Sequence, residues 1–142
     1  MSKSIILHLE DDENLRDTIG MVFDSYLPEF DIVSKATPSK AFAAIENKEF
    51  SIDDLAIVVT DGYMIPHNLE KGGVETGWYA ADELRRRNYQ GPIIILTAVG
   101  ETLAPEHMNK FDERITKPFN NDNLVDVMKE LMRKSSEKIL TK

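Results

Sequence analysis

The sequence predicts one α/β domain built on a parallel sheet with helices on both faces. Three observations carry that prediction. The chain has 142 residues, enough for one substantial hydrophobic core and too few for two. Three apolar runs, Ile5 to Leu9, Leu55 to Val59 and Ile93 to Leu96, lack the alternation of a half-exposed strand and read as strands buried on both faces. Between them, apolar residues recur at three- and four-residue steps, the period of helices, and strands alternating with helices imply βαβ units with right-handed crossovers.

In chain order, the strand Ile5 to Leu9 leads into a helix with the stripe Leu15, Ile19, Val22, Phe23, Tyr26 and Leu27, which ends before Pro28. A weaker strand covers Asp31 to Ser34. Thr37 and Pro38 supply an N-cap and a proline at the first helical position, opening a helix to about Asn47 with Ala41, Phe42, Ala44 and Ile45 facing inward. The buried strand Leu55 to Val59 precedes a long loop, Gly62 to Thr76, and a helix from Gly77 to Arg87 with Trp78, Ala81 and Leu84 on one side. After the strand Ile93 to Leu96, Pro105 interrupts the segment Gly100 to Lys110, so the fourth helix is expected to be short. A weak strand at Glu113 to Thr116 and a helix from Asn121 to about Ser136, carrying Leu124, Val127, Met128 and Leu131, complete a single domain over residues 1–142.

Composition excludes several functions. Seventeen Lys and Arg against 25 Asp and Glu leave a net charge of −8, which opposes binding to nucleic acid or to an anionic membrane surface. The chain has no cysteine, and so no disulfide framework, thiolate metal site or cysteine nucleophile, in keeping with a reducing, cytoplasmic setting. The apolar run at the N-terminus is far shorter than a signal peptide's apolar region or the roughly 20 residues of a membrane span.

The chemistry-bearing residues gather at strand ends. The first strand runs into Glu10-Asp11-Asp12-Glu13, the third into Thr60-Asp61, the fourth into Thr97-Ala98 and the fifth into Lys117-Pro118-Phe119. In open parallel sheets, ligands bind beyond the carboxyl ends of the strands. Glu10, Asp11 and Asp61 converging there would repel one another and raise at least one pKa unless a cation sits among them. Magnesium suits such a set, because it takes a few carboxylate oxygens, a carbonyl and waters, and makes an attacking carboxylate compatible with an incoming phosphoryl group. Lys117 and the Thr97 hydroxyl could then hold phosphoryl oxygens.

This ordered set at four strand ends resembles the receiver domain of two-component response regulators, over roughly Lys3 to Arg133. The resemblance implies a flavodoxin-like, doubly wound sheet of five parallel strands in the order 2-1-3-4-5. It implies Asp61 as phosphoacceptor, Glu10 and Asp11 as the acidic pair that binds Mg2+ with Asp61, and the backbone carbonyl of Tyr63 as a further ligand. Thr97 would be the switch hydroxyl, Lys117 the phosphate-pairing lysine, and Lys117-Pro118 a cis bond. Implied partners are a sensor histidine kinase or a histidine phosphotransfer protein as donor and a downstream protein target. A stand-alone receiver is expected, catalysing only its own phosphorylation and dephosphorylation.

Three departures from the family pattern stand out. The Met-Pro pair past the acceptor is spread over Met64-Ile65-Pro66 and the glycine opening the third helix is delayed to Gly77, so the loop after Asp61 is expanded; with Gly72-Gly73 it is expected to move. The aromatic switch position, three before the lysine, is Arg114. The segment from Thr97 to Lys117 is short, so a monomer or a weak dimer of another type is expected. These departures make a pseudo-receiver, a protein-binding module that is never phosphorylated, the alternative; retention of all the site residues weighs against it.

Simpler readings stand beside these. The acidic run at Glu10 could serve only a helix N-terminus; Arg85-Arg86-Arg87 reads as a solvated face, His8 as a core residue, His67 and His107 as solvent-facing loop residues, and Met64, Met128 and Met132 as packing. A haloacid-dehalogenase phosphatase needs an aspartate two past the nucleophile, where Tyr63 stands, and dinucleotide or flavin binding needs a glycine-rich turn after the first strand, where this chain has Glu-Asp-Asp-Glu-Asn.

Overall fold

In the computed structural model, residues 4–64 and 74–140 are described, the last three of them by backbone alone. Five parallel strands form the central sheet: β1 (Ile5–Leu9), β2 (Asp31–Lys35), β3 (Leu55–Asp61), β6 (Ile93–Ala98) and β7 (Glu113–Lys117), in the order β2-β1-β3-β6-β7. This is the expected 2-1-3-4-5 order, because a short antiparallel ladder of β4 (Tyr63–Met64) and β5 (Glu75–Thr76) lies between β3 and β6 in sequence without joining the sheet. That ladder was not legible in the sequence. It draws together the two ends of the segment after Asp61, whose middle, including Pro66, His67 and Gly72-Gly73, lies outside the described residues.

The helices are α1 (Glu13–Tyr26), α2 (Pro38–Glu46), α3 (Gly77–Arg86), α4 (Pro105–Met108) and α5 (Asn121–Leu140). Their starts follow local chemistry: the Asp12 carboxylate accepts from the Leu15 N–H, Thr37 Oγ1 from the Lys40 N–H and Thr76 Oγ1 from the Tyr79 N–H. α4 is a single turn opened by Pro105, as expected. α5 runs about one turn past Ser136, where ion pairs of Arg133 with Glu130 and Glu137 support the exposed face.

Two apolar clusters sandwich the sheet. Leu7, Leu9, Leu55 and Val58 pack with Ala41, Phe42, Ala80, Ala81 and Leu84 of α2 and α3. On the other face Ile6, Ile57, Val59, Ile94 and Leu96 pack with Ile19 and Phe23 of α1 and Leu124, Val125 and Met128 of α5. The alternation of single strands between two covered faces explains why the runs are continuously apolar.

Several expected positions differ. Tyr26 is exposed, and Leu27, the α1 C-cap, takes the buried place. Trp78 is only half-buried, stacked on His107 of α4, and Ala80 joins Ala81 and Leu84 in the core instead. The arginine run is not simply solvated. Arg85 donates to the carbonyls of Tyr89 and Gly91, and Arg86 and Arg87 both bind Glu83, with Arg87 lying over the Phe42 ring.

Gly77 fixes how closely α3 approaches the site. A Cβ there would stand 2.6 Å from the Asp61 carbonyl oxygen, 3.2 Å from Thr60 Cγ2 and 3.3 Å from Ile95 Cδ1. The first of these is backbone and cannot yield as a side chain would. Gly77→Ala is expected to lower stability by about 1–3 kcal/mol through overpacking, read as a lower urea midpoint with an unchanged m-value.

Candidate functional site

Parallel pairing in register brings the strand ends to one edge: Leu9 pairs with Thr60, Asp61 with Leu96, and Ala98 with Lys117. The residues just past β1 and at the ends of β3, β6 and β7 therefore meet. Glu10, Asp11 and Asp61 each offer a carboxylate oxygen within 4.8 Å of the others. Lys117 Nζ donates to Asp61 Oδ1 at 2.9 Å and to Glu10 Oε1 at 3.4 Å. The Lys117-Pro118 bond is cis, as the resemblance implied.

The acidic run after β1 is divided among several tasks. Glu10 is 1 % exposed, with Oε2 accepting from the Asp12 N–H. Arg16 Nη1 donates to the Glu10 carbonyl at 2.9 Å and reaches that of Asp11 at 3.5 Å, holding the turn. Asp12 caps α1 and Glu13 sits in its first turn. The helix-terminus reading holds for Asp12 and Glu13, while Glu10 and Asp11 lie in the acidic cluster with Asp61.

Burial, then the negative charge of Asp61, push the Glu10 carboxyl up to about 8, against the opposing pull of the Asp12 N–H and Lys117. At neutral pH Glu10 keeps its proton, and the Lys117 charge falls chiefly on Asp61, its shorter contact. Burial disfavours the Lys117 ammonium, but its hydrogen bond to Asp61 and the two carboxyls outweigh that and hold its pKa above the ordinary value. Burial first and the nearby Asp61 second keep the Glu10 carboxyl protonated, and the clustered oxygen donors are compatible with a hard divalent ion.

Two residues before Glu10, His8 is fully buried on β1, edge-on to Phe23, with Nδ1 3.4 Å from Ser34 Oγ. Burial, then Arg16 and Lys117, push its imidazole down to about 3, so it is a neutral core residue, as expected.

Tyr63, Ala98, Val99, Gly100 and Glu101 line a cavity with Asp61 and Lys117. The Tyr63 ring stands edge-on to Trp78 at 5.1 Å. Thr97 is fully buried and its hydroxyl accepts from Arg114 Nε at 3.0 Å, while Arg114 Nη2 donates to the Glu101 carbonyl at 2.7 Å. Arg114, at the position where the resemblance expects an aromatic residue, thus touches the Thr97 hydroxyl directly. His107 does not face solvent: its ring stacks on Trp78 at 4.5 Å and 15°, because the single turn of α4 lies over α3. His67 lies outside the described residues. Sequence reasoning missed Glu101 and the Arg114 contacts. The only sequence signal was the glycine after Asp61, where a side chain would meet the Glu101 carboxylate.

The two buried groups on and after β1 set opposite pH trends. The lowered His8 pKa makes stability rise with pH up to about 6.5, because the unfolded imidazole binds the proton that the folded one refuses. The raised Glu10 pKa makes stability fall between about 4.5 and 8, because only the folded form retains the proton. In chelator-containing buffer, urea unfolding should therefore show stability falling from pH 6.5 to 8, and Glu10→Gln should flatten that fall.

No protein-family model and no curated relative matches the sequence. Solved structures do match. A CheY-like response regulator receiver domain protein from Methanospirillum hungatei aligns over 96 % of this chain and 99 % of its own, with TM-score 0.73 and 20 % identity. A response regulator receiver domain protein from Clostridium thermocellum aligns over 96 % and 98 %, with TM-score 0.74 and 16 % identity. The response regulator TrrA from Thermotoga maritima, in complex with Mg2+ and BeF, aligns over 90 % and 98 %, with TM-score 0.71 and 23 % identity. Sheet order, strand-end chemistry and these likenesses agree: the chain has the fold of response regulator receiver domains.

Proposed function

We propose that the protein is a phosphoacceptor receiver of a two-component phosphorelay. The observation that carries this reading is Lys117 Nζ at 2.9 Å from Asp61 Oδ1, within a group of three carboxylates drawn from two strand ends. A structural ion pair needs one acid; here Lys117 meets Asp61 and Glu10, Asp11 lies beside them, and the clustered oxygens have room for a further cation.

Glu10, Asp11 and Asp61, with the Tyr63 carbonyl, would hold Mg2+, which supplies charge neutralisation for the transferring phosphoryl group. The fit rests on the raised Glu10 carboxyl and the oxygen spacing of the cluster. TrrA, whose complex carries Mg2+ and BeF, has the same fold. A carboxylate oxygen of Asp61 attacks the phosphorus of a phosphohistidine; the P–N bond breaks, its electron pair returns to the imidazole, and an acyl phosphate forms. Lys117 then passes from the Asp61 carboxylate to the phosphoryl oxygens. The donor is a sensor histidine kinase or a histidine phosphotransfer protein, and the output is a downstream protein target, reached by a shift between two conformations. The only reactions catalysed are phosphorylation and dephosphorylation of the chain itself, in a cytoplasmic setting. Among the described residues no helix is long and apolar enough to cross a membrane.

Incubation with acetyl phosphate and Mg2+ should add one phosphoryl group, read by intact mass, and Asp61→Asn should abolish the gain. An unmodified wild type under these conditions would refute the reading. Millimolar Mg2+ should raise the melting temperature by mass action, and Asp11→Ala should remove most of that rise.

A further inference from the structure

Glu101 lies three residues past β6, and its side chain turns back into the site. Oε2 accepts from the Ala98 N–H at 2.7 Å. Oε1 is shielded from solvent with no hydrogen-bond partner among the described residues, and a Cβ on Gly62 would stand 2.7 Å from it. The carboxylate thus presses on the residue after Asp61, in the cavity that Asp61 and Lys117 also line. A shielded, unpaired carboxylate oxygen is costly, and that cost is relieved when the side chain turns out to water.

An N–H that already binds an anionic oxygen beside the attacking carboxylate is a donor that an incoming phosphoryl oxygen would also meet. We propose that Glu101 sets the affinity of the phosphoryl site: its carboxylate occupies the place at the Ala98 N–H that a phosphoryl oxygen takes, and phosphorylation requires it to swing out. This inference rests on the receiver reading above.

The swing needs no loop movement. The Glu101 N–H donates to the Ala98 carbonyl at 3.0 Å, and its own carbonyl accepts from Arg114, which also holds Thr97. Gly100, at φ +83°, supplies the left-handed residue that this tight turn demands. With the backbone held at both ends, rotation about the side-chain bonds carries the carboxylate into water. There Oε1 regains hydration, while the phosphoryl oxygen replaces it at the Ala98 N–H. Phosphodonor affinity is then reduced by the fraction of molecules in which the seat is filled.

Two variants separate the seat from simple charge. Glu101→Ala empties it; Gly62→Ala evicts the carboxylate by its Cβ with no change of charge. Labelling by acetyl phosphate with Mg2+, followed by intact mass at low phosphodonor concentration, should be about tenfold faster in both, as expected for a seat filled about nine-tenths of the time. Circular dichroism and urea unfolding check that each variant is folded. A wild type that is labelled, with neither variant more than about twofold faster, overturns the inference and leaves the receiver reading standing. A gain in Glu101→Ala without one in Gly62→Ala shows a charge effect and overturns it too. Labelling of the variants but not of the wild type supports it, with Glu101 as a complete block. Failure of all three to label overturns the receiver reading and this inference with it.

Discussion

The contact of Lys117 with Asp61, backed at 3.4 Å by Glu10, ties the end of β7 to the ends of β3 and β1. It spans the sheet from its edge strand to the strand beside the opposite edge. Carboxylates gathered from two strands would otherwise repel, and burial of Glu10 makes water a poor remedy. Burial, and then the charge of Asp61, outweigh the single ammonium, so Glu10 retains a proton. One ammonium stands beside a cluster of three acids whose oxygens are spaced to take a further cation, and the proposed function builds on that excess.

Around this contact the surrounding elements are held with little slack. Arg16 grips the carbonyls that carry Glu10 and Asp11, Gly77 lets α3 touch the Asp61 backbone, and the β4–β5 ladder sets where α3 begins. On the proposed function, rigid placement matters because phosphoryl transfer asks mainly for positioning and charge. Glu101 and the Tyr63, Trp78 and His107 rings lie at the rim of this frame.

Arg114 changes the character of the sheet's far edge. A guanidinium only donates, so the Thr97 oxygen that accepts from it keeps its own proton for another acceptor. The same guanidinium holds the Glu101 carbonyl. Thr97, the turn after β6 and β7 are thereby joined through one side chain. Coupling between the site and this edge can therefore run through hydrogen bonds, where an aromatic ring would instead have to move between packed positions.

Much of this was legible in the residues themselves. Continuous apolar runs marked β1, β3 and β6 because strands covered on both faces leave no polar side to read. The acids, Thr97 and Lys117 stood at strand ends, where a parallel sheet must bring them together. The N-cap at Thr37 was read directly; those at Asp12 and Thr76, found in the structure, likewise depend on neighbours three residues away. What tertiary structure alone decided depends on contacts between distant segments. The division of Glu10 to Glu13 into buried acid, site acid and cap followed from the depth at which β1 ends. The stacking of Trp78 on His107 joins α3 to α4, and the β4–β5 ladder has two pairs, too few to leave a pattern. The partners of Arg114 and the return of Glu101 onto Gly62 came from the packing of β6 against β7 and the turn at Gly100. A charged side chain in a sequence shows that it must find partners, and only the folded chain shows which ones lie within reach.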